Sequence, residues 1–292
     1  MRKPLIVGVD GSDSSLRALD WAVREAEVHE VGLRLVHASR WEQYERALPD
    51  VRTERPTGQI MSEHIVGSAG ERVARLAPDL PLTVEVLTDD PVSALVQLGQ
   101  DASALVVGHR GRGGVTGLLL GSTSLAVAAH ADCPVVVVRG SEQHTRGDLA
   151  QVTVGIGAGG ESSAATAFAF EEAQAHDAEL VAVRAWRRPA YGLPDFPQVP
   201  ESEQECHGAV TARQTVDEAL EDPSTARPKV ATRSETPEGS ARDALLKASE
   251  TTDLLVVGAR RRQALVGMQL GPVSHALLHH ASCPVAVVPQ HR

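Results

Sequence analysis

The sequence contains few aromatic residues, few cysteines and no long apolar run. Aromatic residues make up 3% of its 292 residues, and the cysteines number three. Three cysteines in a chain of this length supply no disulfide framework, and no apolar stretch reaches the length needed to span a bilayer. The apolar run after Met1 is too short for a secretory signal and leads directly into a predicted strand. These absences favour a cytoplasmic, reducing location.

Positive charge is also in deficit. Lys and Arg total 28 against 38 Asp and Glu, which gives a net charge of −10. This balance argues against binding to nucleic acid or to an anionic membrane through bulk electrostatics. The hydrophobic fraction of 42% is ample for two cores.

The chain is an internal repeat with an offset of 147 residues near its start and 150 further on. The segment Val7-Gly-Val-Asp10 matches Val154-Gly-Ile-Gly157, and Cys133-Pro-Val matches Cys283-Pro-Val. A repeat of this length is a complete domain and not a solenoid unit. We therefore predict one domain over residues 1–140, a polar linker over 141–150 and a second domain over 151–292.

Each copy alternates short Val, Leu and Ile runs with longer amphipathic stretches. In the first copy the runs predict strands near 5–10, 33–38, 82–87, 104–108 and 134–138, and helices near 13–30, 57–77, 91–101 and 121–131. Runs that are apolar throughout indicate strands buried on both faces. Strand and helix alternation predicts an α/β fold, in which helices cover both faces of a parallel sheet.

The segment from Gly108 to Ser122 has the features of a phosphate-binding loop. An apolar run stops at Gly108, a loop rich in glycine and arginine follows, and Gly121-Ser122-Thr123 then opens a helix. Glycine permits close backbone approach to an anion, and a helix N-terminus presents unpaired N–H groups to it. No Gly-Lys-Ser/Thr sequence occurs, so this is not a Walker loop.

The spacing Gly-x2-Gly-x9-Gly-Ser from Gly108 to Ser122 resembles the nucleotide-binding signature of the universal stress protein family. Val7-Gly-Val-Asp10 resembles that family's first strand, and His130-Ala-Asp-Cys-Pro134 resembles its closing helix end. The resemblance implies two flavodoxin-like (adenine nucleotide alpha hydrolase-like) domains, each with a five-stranded sheet of order 3-2-1-4-5. The ligand would be ATP or a related adenine nucleotide, with or without Mg²⁺, outside the ends of strands 1 and 4.

The candidate nucleotide-binding residues follow from this resemblance, and no catalytic or metal-binding residue is assigned. They are Gly8, Asp10, Ala38, Val107, Gly108, His109, Arg110, Gly111, Arg112, Gly113, Gly121, Ser122 and Thr123. Asp10 can accept a hydrogen bond from a ribose hydroxyl or form an Asx-turn before the first helix. Ser12 is expected to cap that helix and His37 to be a packing residue. Two alternatives remain for Arg110 and Arg112 of the loop: they bind phosphate, or they belong to a solvated loop surface.

The second copy retains the pattern of the fold but loses the polar groups of the site. Gly157 replaces Asp10, Arg261 replaces Gly111, and Pro272 replaces Ser122. Proline is accepted in the first turn of a helix but has neither an N–H nor a hydroxyl. Losing two charge-assisted donors weakens binding by roughly 10²-fold. We predict a competent first site and a weak or empty second site.

Two other motifs are better explained by the repeat. Gly155-Ile-Gly157-Ala-Gly-Gly160 satisfies the dinucleotide pattern, but the next strand ends in Arg184-Ala-Trp186 without the expected acid. His275 and His279 have the i, i+4 spacing of a zinc pair, but no third ligand is evident. Structural or surface histidines are preferred. The long segments that follow the second strand of each copy have three possible roles: a lid over a ligand, a contact surface for another chain, or a surface loop without a further role.

Three functions remain open at this point. The first is a nucleotide-dependent binder or sensor used in the stress response, the second is a slow ATPase or self-phosphorylating enzyme, and the third is an interaction scaffold without nucleotide. The two Val-rich fifth strands are expected to pair with each other and so cover exposed edges. Homo-oligomerisation, commonly as a dimer, is a further expectation from the family, and any protein partner is unknown.

Overall fold

The computed structural model describes residues 3–40, 57–111, 119–157, 163–187, 201–260 and 270–290. Strands and helices alternate through the first half of the chain. They are β1 (Leu5–Gly8), α1 (Asp13–Val28), β2 (Leu33–Ala38), α2 (Thr57–Leu76), β3 (Leu82–Leu87), α3 (Pro91–Leu98), β4 (Ala104–Gly108), α4 (Ser122–His130) and β5 (Val135–Val138).

The second half repeats this order after a short helix in the predicted linker. Its elements are α5 (Glu142–Arg146), β6 (Gln151–Gly155), α6 (Ser163–Ala175), β7 (Glu179–Val183), α7 (Glu201–Ala226), β8 (Thr232–Glu235), α8 (Ala241–Ala248), β9 (Leu254–Arg260), α9 (Pro272–His280) and β10 (Val285–Gln290). None of the helices in the described segments is long and apolar enough to cross a membrane.

All ten strands form one sheet of order β3-β2-β1-β4-β5-β10-β9-β6-β7-β8. Within each half the order is 3-2-1-4-5 and the pairing is parallel, as the sequence predicted. The halves meet through β5 and β10, which pair antiparallel with Val137 opposite Val285 and Val135 opposite Val287. The expected pairing of the two fifth strands is therefore confirmed.

The core forms one layer on each face of the sheet, and both layers continue across the two halves. One layer holds Leu19 of α1 and Phe170 of α6 with the strands between them. The other holds Leu95 of α3, Val127 of α4 and Leu277 of α9. β4 and β5 are buried along their whole length, which explains their uninterrupted apolar sequences.

Candidate functional site

A cavity of about 420 Å³ opens at the carboxyl ends of β1 and β4, where the strand order reverses. Ten of the predicted site residues line it, namely Gly8, Asp10, Ala38, Val107, Gly108, Arg110, Gly111, Gly121, Ser122 and Thr123. The loop from β4 and the start of α4 thus meet the end of β1 at one place. Arg112 and Gly113 lie outside the described residues.

The first turn of α4 faces this cavity without a side-chain cap. Gly121 is the N-cap residue, in extended conformation, and no side chain accepts a hydrogen bond from the helix start. The helix is held by two other contacts: the Gly121 N–H donates to the His109 carbonyl at 2.8 Å, and the Ser124 hydroxyl donates to the Gly108 carbonyl at 2.6 Å. The N–H groups at the start of a helix lack intrahelical partners, so this end attracts an anion.

Asp10 forms the Asx-turn that precedes α1 while also lining the cavity. Its Oδ1 accepts hydrogen bonds from the Ser12 N–H at 3.0 Å and from the Ser12 hydroxyl at 2.6 Å. Ser12 in turn caps α1 by accepting from the Ser15 N–H at 3.2 Å, as predicted. Asp10 therefore organises the turn before α1 and also lines the cavity.

The glycines of the motif differ in how much space a side chain would have at each position. A Cβ on Gly108 would lie 2.6 Å from the Ser14 backbone, and one on Gly111 would lie 2.5 Å from Asp10 Oδ2. A Cβ on Gly121 would meet nothing nearer than 3.6 Å, an ordinary contact distance. Contact with the Ser14 backbone therefore explains Gly108. At Gly111 the close atom belongs to a carboxylate that can move, and at Gly121 the protein's own atoms leave room for a side chain.

His109 points away from the cavity, in contrast to its predicted role. Its Nδ1 lies 2.9 Å from the Ser14 hydroxyl of α1, and that hydroxyl also accepts from the Arg110 N–H at 3.2 Å. Burial, together with Arg17, Arg139 and Arg110, lowers the pKa of His109 to about 4. The His109 side chain is a structural link to α1, and only its carbonyl contributes to the loop.

The predicted packing role of His37 is confirmed, and two cysteines at equivalent places in the repeat are also packing residues. His37 is buried and its Nδ1 lies 2.7 Å from the Val9 carbonyl. Cys133 and Cys283 are buried free thiols, and burial raises the pKa of Cys133 to about 11. Neither thiol is therefore activated as a nucleophile.

The sequence analysis missed the apolar wall of the cavity. Val36, Pro91, Leu95 and Leu120 form this wall, and Ser15 and Ser124 add hydroxyls beside the loop. These residues come from four elements and the loop before α4, and they share no spacing that marks them as a site. Only the position of α3 beside the ends of β1 and β4 brings them together.

The second half lacks an equivalent arrangement in its described part. After the end of β6, Gly157 has no side chain. Arg184 corresponds to His37 of the first half, and it donates a hydrogen bond to the Gly157 carbonyl at 2.6 Å. Pro272 occupies the first turn of α9, so that helix forms as predicted. The cleft beside α9, about 930 Å³, has a lining that includes no residue of β6. Arg261 lies outside the described residues.

The structure adds no support for a dinucleotide site at Gly155–Gly160 or for a zinc site at His275 and His279. The glycines of the dinucleotide pattern beyond Gly157 lie outside the described residues. His275 and His279 have ring centroids 4.6 Å apart in a stacked pair, which is a packing contact between the rings.

The fold and the switch-point cavity define the class of this chain as a tandem flavodoxin-like α/β protein. The family model of the Universal stress protein family matches residues 1–139 and again residues 150–289. A universal stress protein of Mycobacterium tuberculosis H37Rv is 32% identical over 97% of this chain and 95% of its own length. Another from Mycolicibacterium smegmatis is 30% identical over 97% and 96%.

A solved structure shares the whole architecture. The crystal structure of a universal stress protein from Archaeoglobus fulgidus aligns with a TM-score of 0.64 and 15% identity, covering 99% of this chain and 98% of that one. This likeness shows the fold. The chain belongs to the universal stress protein family, as its motifs indicated.

Proposed function

We propose that this protein binds an adenine nucleotide, foremost ATP, in the cavity of the first domain and acts in the cytoplasm as a nucleotide-dependent binder or sensor in the stress response. The observation that carries this proposal is the uncapped start of α4 at the cavity, with space left at Gly121. The proposed domains are residues 1–140 and 151–292, and self-association of the full chain is part of the proposal.

The polar side of the cavity suits the phosphates. The N–H groups and hydroxyls of Ser122 and Thr123 lie at the positive end of the α4 dipole. Arg110 lines the same wall and adds a fixed positive charge. No acidic residue occurs in the first turn of α4, so no carboxylate of that turn competes with an anion there. A Mg²⁺ ion would be held chiefly by the phosphate oxygens.

The other side of the cavity suits the nucleoside. Val36, Leu95 and Leu120 form an apolar wall that an adenine ring can cover. The carboxylate of Asp10 lies at the end of β1, where a ribose hydroxyl can donate to it. The cavity volume of about 420 Å³ falls within the usual range for small-molecule sites.

We further propose that the two domains bind unequally. The second domain has no carboxylate at Gly157, and Pro272 lacks both the N–H and the hydroxyl that Ser122 offers at the helix start of the first domain. The Arg184 guanidinium lies against the end of β6. These differences favour one nucleotide per chain.

Slow hydrolysis or self-phosphorylation is the second candidate function, and the geometry supports it less. Catalysis needs a base near the attacking group. His109 is bonded to Ser14 on the far side of the loop, and Oδ1 of Asp10 already accepts two hydrogen bonds from Ser12. A nucleotide-free scaffold is the third candidate, and the open α4 terminus argues against it.

Calorimetric titration of nucleotide-free protein with ATP and Mg²⁺ tests the proposal. We expect one site per chain in the wild type and at least a tenfold weaker one in Gly121→Ala/Ser122→Ala. The matched control is Gly271→Ala, at the corresponding helix start of the second domain, where a Cβ would meet no atom within 4 Å. That variant is expected to bind like the wild type.

Each result decides between the candidates. Two equal sites, or loss of binding in Gly271→Ala, would contradict the assignment to the first domain. If no ATP binds at all, the third candidate, an interaction scaffold without nucleotide, is favoured. Turnover of many ATP molecules per chain, dependent on Mg²⁺, would favour the enzyme over the sensor.

A further inference from the structure

Four titratable side chains meet where the two halves of the chain pack together, far along α1 from the nucleotide cavity. Glu25 and His29 come from the end of α1, and Glu172 and His176 from the end of α6 and the turn after it. Glu25 and Glu172 are 5% and 4% exposed. Buried carboxylates require compensation by hydrogen bonds, opposite charge or a metal ion, so this cluster needs an explanation that packing does not give.

The ligand-type atoms of the cluster converge. Nε2 of His29 lies 3.1 Å from Glu25 Oε1 and 3.3 Å from Glu172 Oε2. Nε2 of His176 lies 3.1 Å from the same Oε1 of Glu25. The ligand atoms of Glu25, His29 and Glu172 all lie within 4.8 Å of one another.

These separations match those between the ligands of a tetrahedral metal ion. Bonds of about 2.0 Å from zinc to nitrogen or oxygen place neighbouring ligands about 3.3 Å apart. One imidazole and two carboxylates form a donor set that suits a divalent first-row transition ion, and a water molecule would complete the four positions. Two carboxylates would also neutralise the charge of such an ion, so the buried site would be electrically balanced.

We propose that Glu25, His29 and Glu172 bind one divalent transition-metal ion, such as Zn²⁺, that links the two halves of the chain, while His176 holds Glu25 from its other side. The Glu-x3-His sequence occurs at equivalent places in both copies, as Glu25-Ala-Glu-Val-His29 and Glu172-Ala-Gln-Ala-His176. The offset of 147 residues is the one that relates Val7 to Val154. Each half therefore contributes the same pair of residues to the cluster.

An ion has a route to this position. A second cavity, of about 120 Å³, lies beside α1 and is lined by Glu25 and His176 together with Arg24, His144 and Asp253. This cavity lies under α5, since Arg24 donates to the Thr145 carbonyl at 2.5 Å. A metal site needs an entry path of this kind.

Without the ion, the same groups are held together by shared protons. Hydrogen bonds to Glu172 and Glu25 raise the pKa of His29 to about 10, and burial with the neighbouring Glu25 charge raises the pKa of Glu172. A metal ligand must be a neutral imidazole nitrogen or a carboxylate oxygen. The hydrogen bonds from His29 to the two carboxylates must therefore break when the ion binds.

The test is calorimetric titration of chelator-treated full-length protein with ZnCl₂, without nucleotide. We expect one site per chain. In Glu172→Gln, which has the same shape, and in His29→Gln, we expect affinity at least about 100-fold weaker. With zinc at about 100 times its dissociation constant, the unfolding temperature should rise by about 5 °C. Circular dichroism verifies that both variants fold.

The matched control is His275→Ala/His279→Ala, which removes the other histidine pair with i, i+4 spacing and should leave the site intact. Gly121→Ala/Ser122→Ala should also bind zinc normally, because the metal site is independent of the proposed nucleotide site. In crystals grown with zinc, we expect an anomalous peak among the three proposed ligands. Binding that is lost in the His275/His279 control, equal affinity in Glu172→Gln, or no site at all would overturn the proposal and leave a buried ion-pair cluster.

Discussion

At the scale of single residues, two glycines of one motif serve different purposes. Gly108 lies against the backbone of Ser14, where a Cβ would be 2.6 Å away, whereas Gly121 has ordinary contact distances. We expect Gly108→Ala to lower the free energy of unfolding by about 1–3 kcal/mol. We expect Gly121→Ala to change it by no more than about 0.5 kcal/mol while weakening ATP binding. Urea denaturation of both variants checks this, and equal losses of stability would contradict the distinction.

Asp10 permits a second test at this scale. Replacing it with Asn retains the Oδ1 that accepts from Ser12 at 3.0 Å and 2.6 Å, so the turn and the stability should be preserved. The negative charge is lost, and with it a charge-assisted hydrogen bond to a ribose hydroxyl. We expect roughly tenfold weaker nucleotide binding, measured by calorimetry. Unchanged affinity would restrict Asp10 to its role in the Asx-turn.

The sequence predicted residues that line the cavity where a strand end or a helix start marks their place. Asp10 follows the apolar run of β1, and Gly121 and Ser122 open the helix after the loop from β4. The orientation of His109 was not, because residues that follow a strand can turn to either face. The Glu25 and Glu172 cluster was missed, although the Glu-x3-His repeat in both copies was a usable signal.

At the scale of elements, the contact between β4 and α1 depends on an uncharged histidine. The pKa of His109 is lowered from its usual 6.5 to about 4, first by burial and then by Arg17, Arg139 and Arg110. Because the unfolded chain binds this proton more readily, the contribution is fully present above pH 6.5 and is lost as the pH falls toward 4. We expect the urea midpoint to fall over this interval, and to fall less in His109→Gln.

Proton NMR gives the direct measurement for this contact. The ring resonances of His109 should titrate well below the usual histidine pKa of 6.5. A pKa of His109 near 6.5 would show that the ring is solvated and that its contact with Ser14 is weak. That result would also reopen a role for this side chain in the cavity.

Element boundaries were predictable to differing degrees. The strands at 33–38, 82–87 and 104–108 agree with their predicted ranges. The last is apolar throughout, and the other two retain enough Val and Leu to be recognised although they also contain polar residues. The first strand ends at Gly8 and not near residue 10, because Asp10 accepts hydrogen bonds in the turn instead of pairing. Helix α5 was not predicted, since five polar residues carry no apolar period.

At the scale of the whole molecule, the two halves cover each other's exposed edges. β5 and β10 are paired through three residues each, and the remaining edges of the sheet are β3 and β8. Both of these strands are partly exposed. Self-association of the full chain therefore cannot use the fifth strands without first separating the halves, and must use another surface.

This arrangement predicts that the halves stay together when the linker is cut. Gly147 has positive φ and is exposed, and a side chain there would meet no atom within 4 Å, so a protease site inserted after it should be tolerated. The two cleaved fragments remain joined by the β5–β10 pairs, by both core layers, and by the Arg139 hydrogen bond to the Leu278 carbonyl at 2.5 Å. We expect them to co-elute in gel filtration with the light-scattering mass of one intact chain. Uncut protein with the same insertion is the control for the folded mass. Separation of the fragments in native buffer would show that the covalent linker, and not the continuous sheet, holds the halves together.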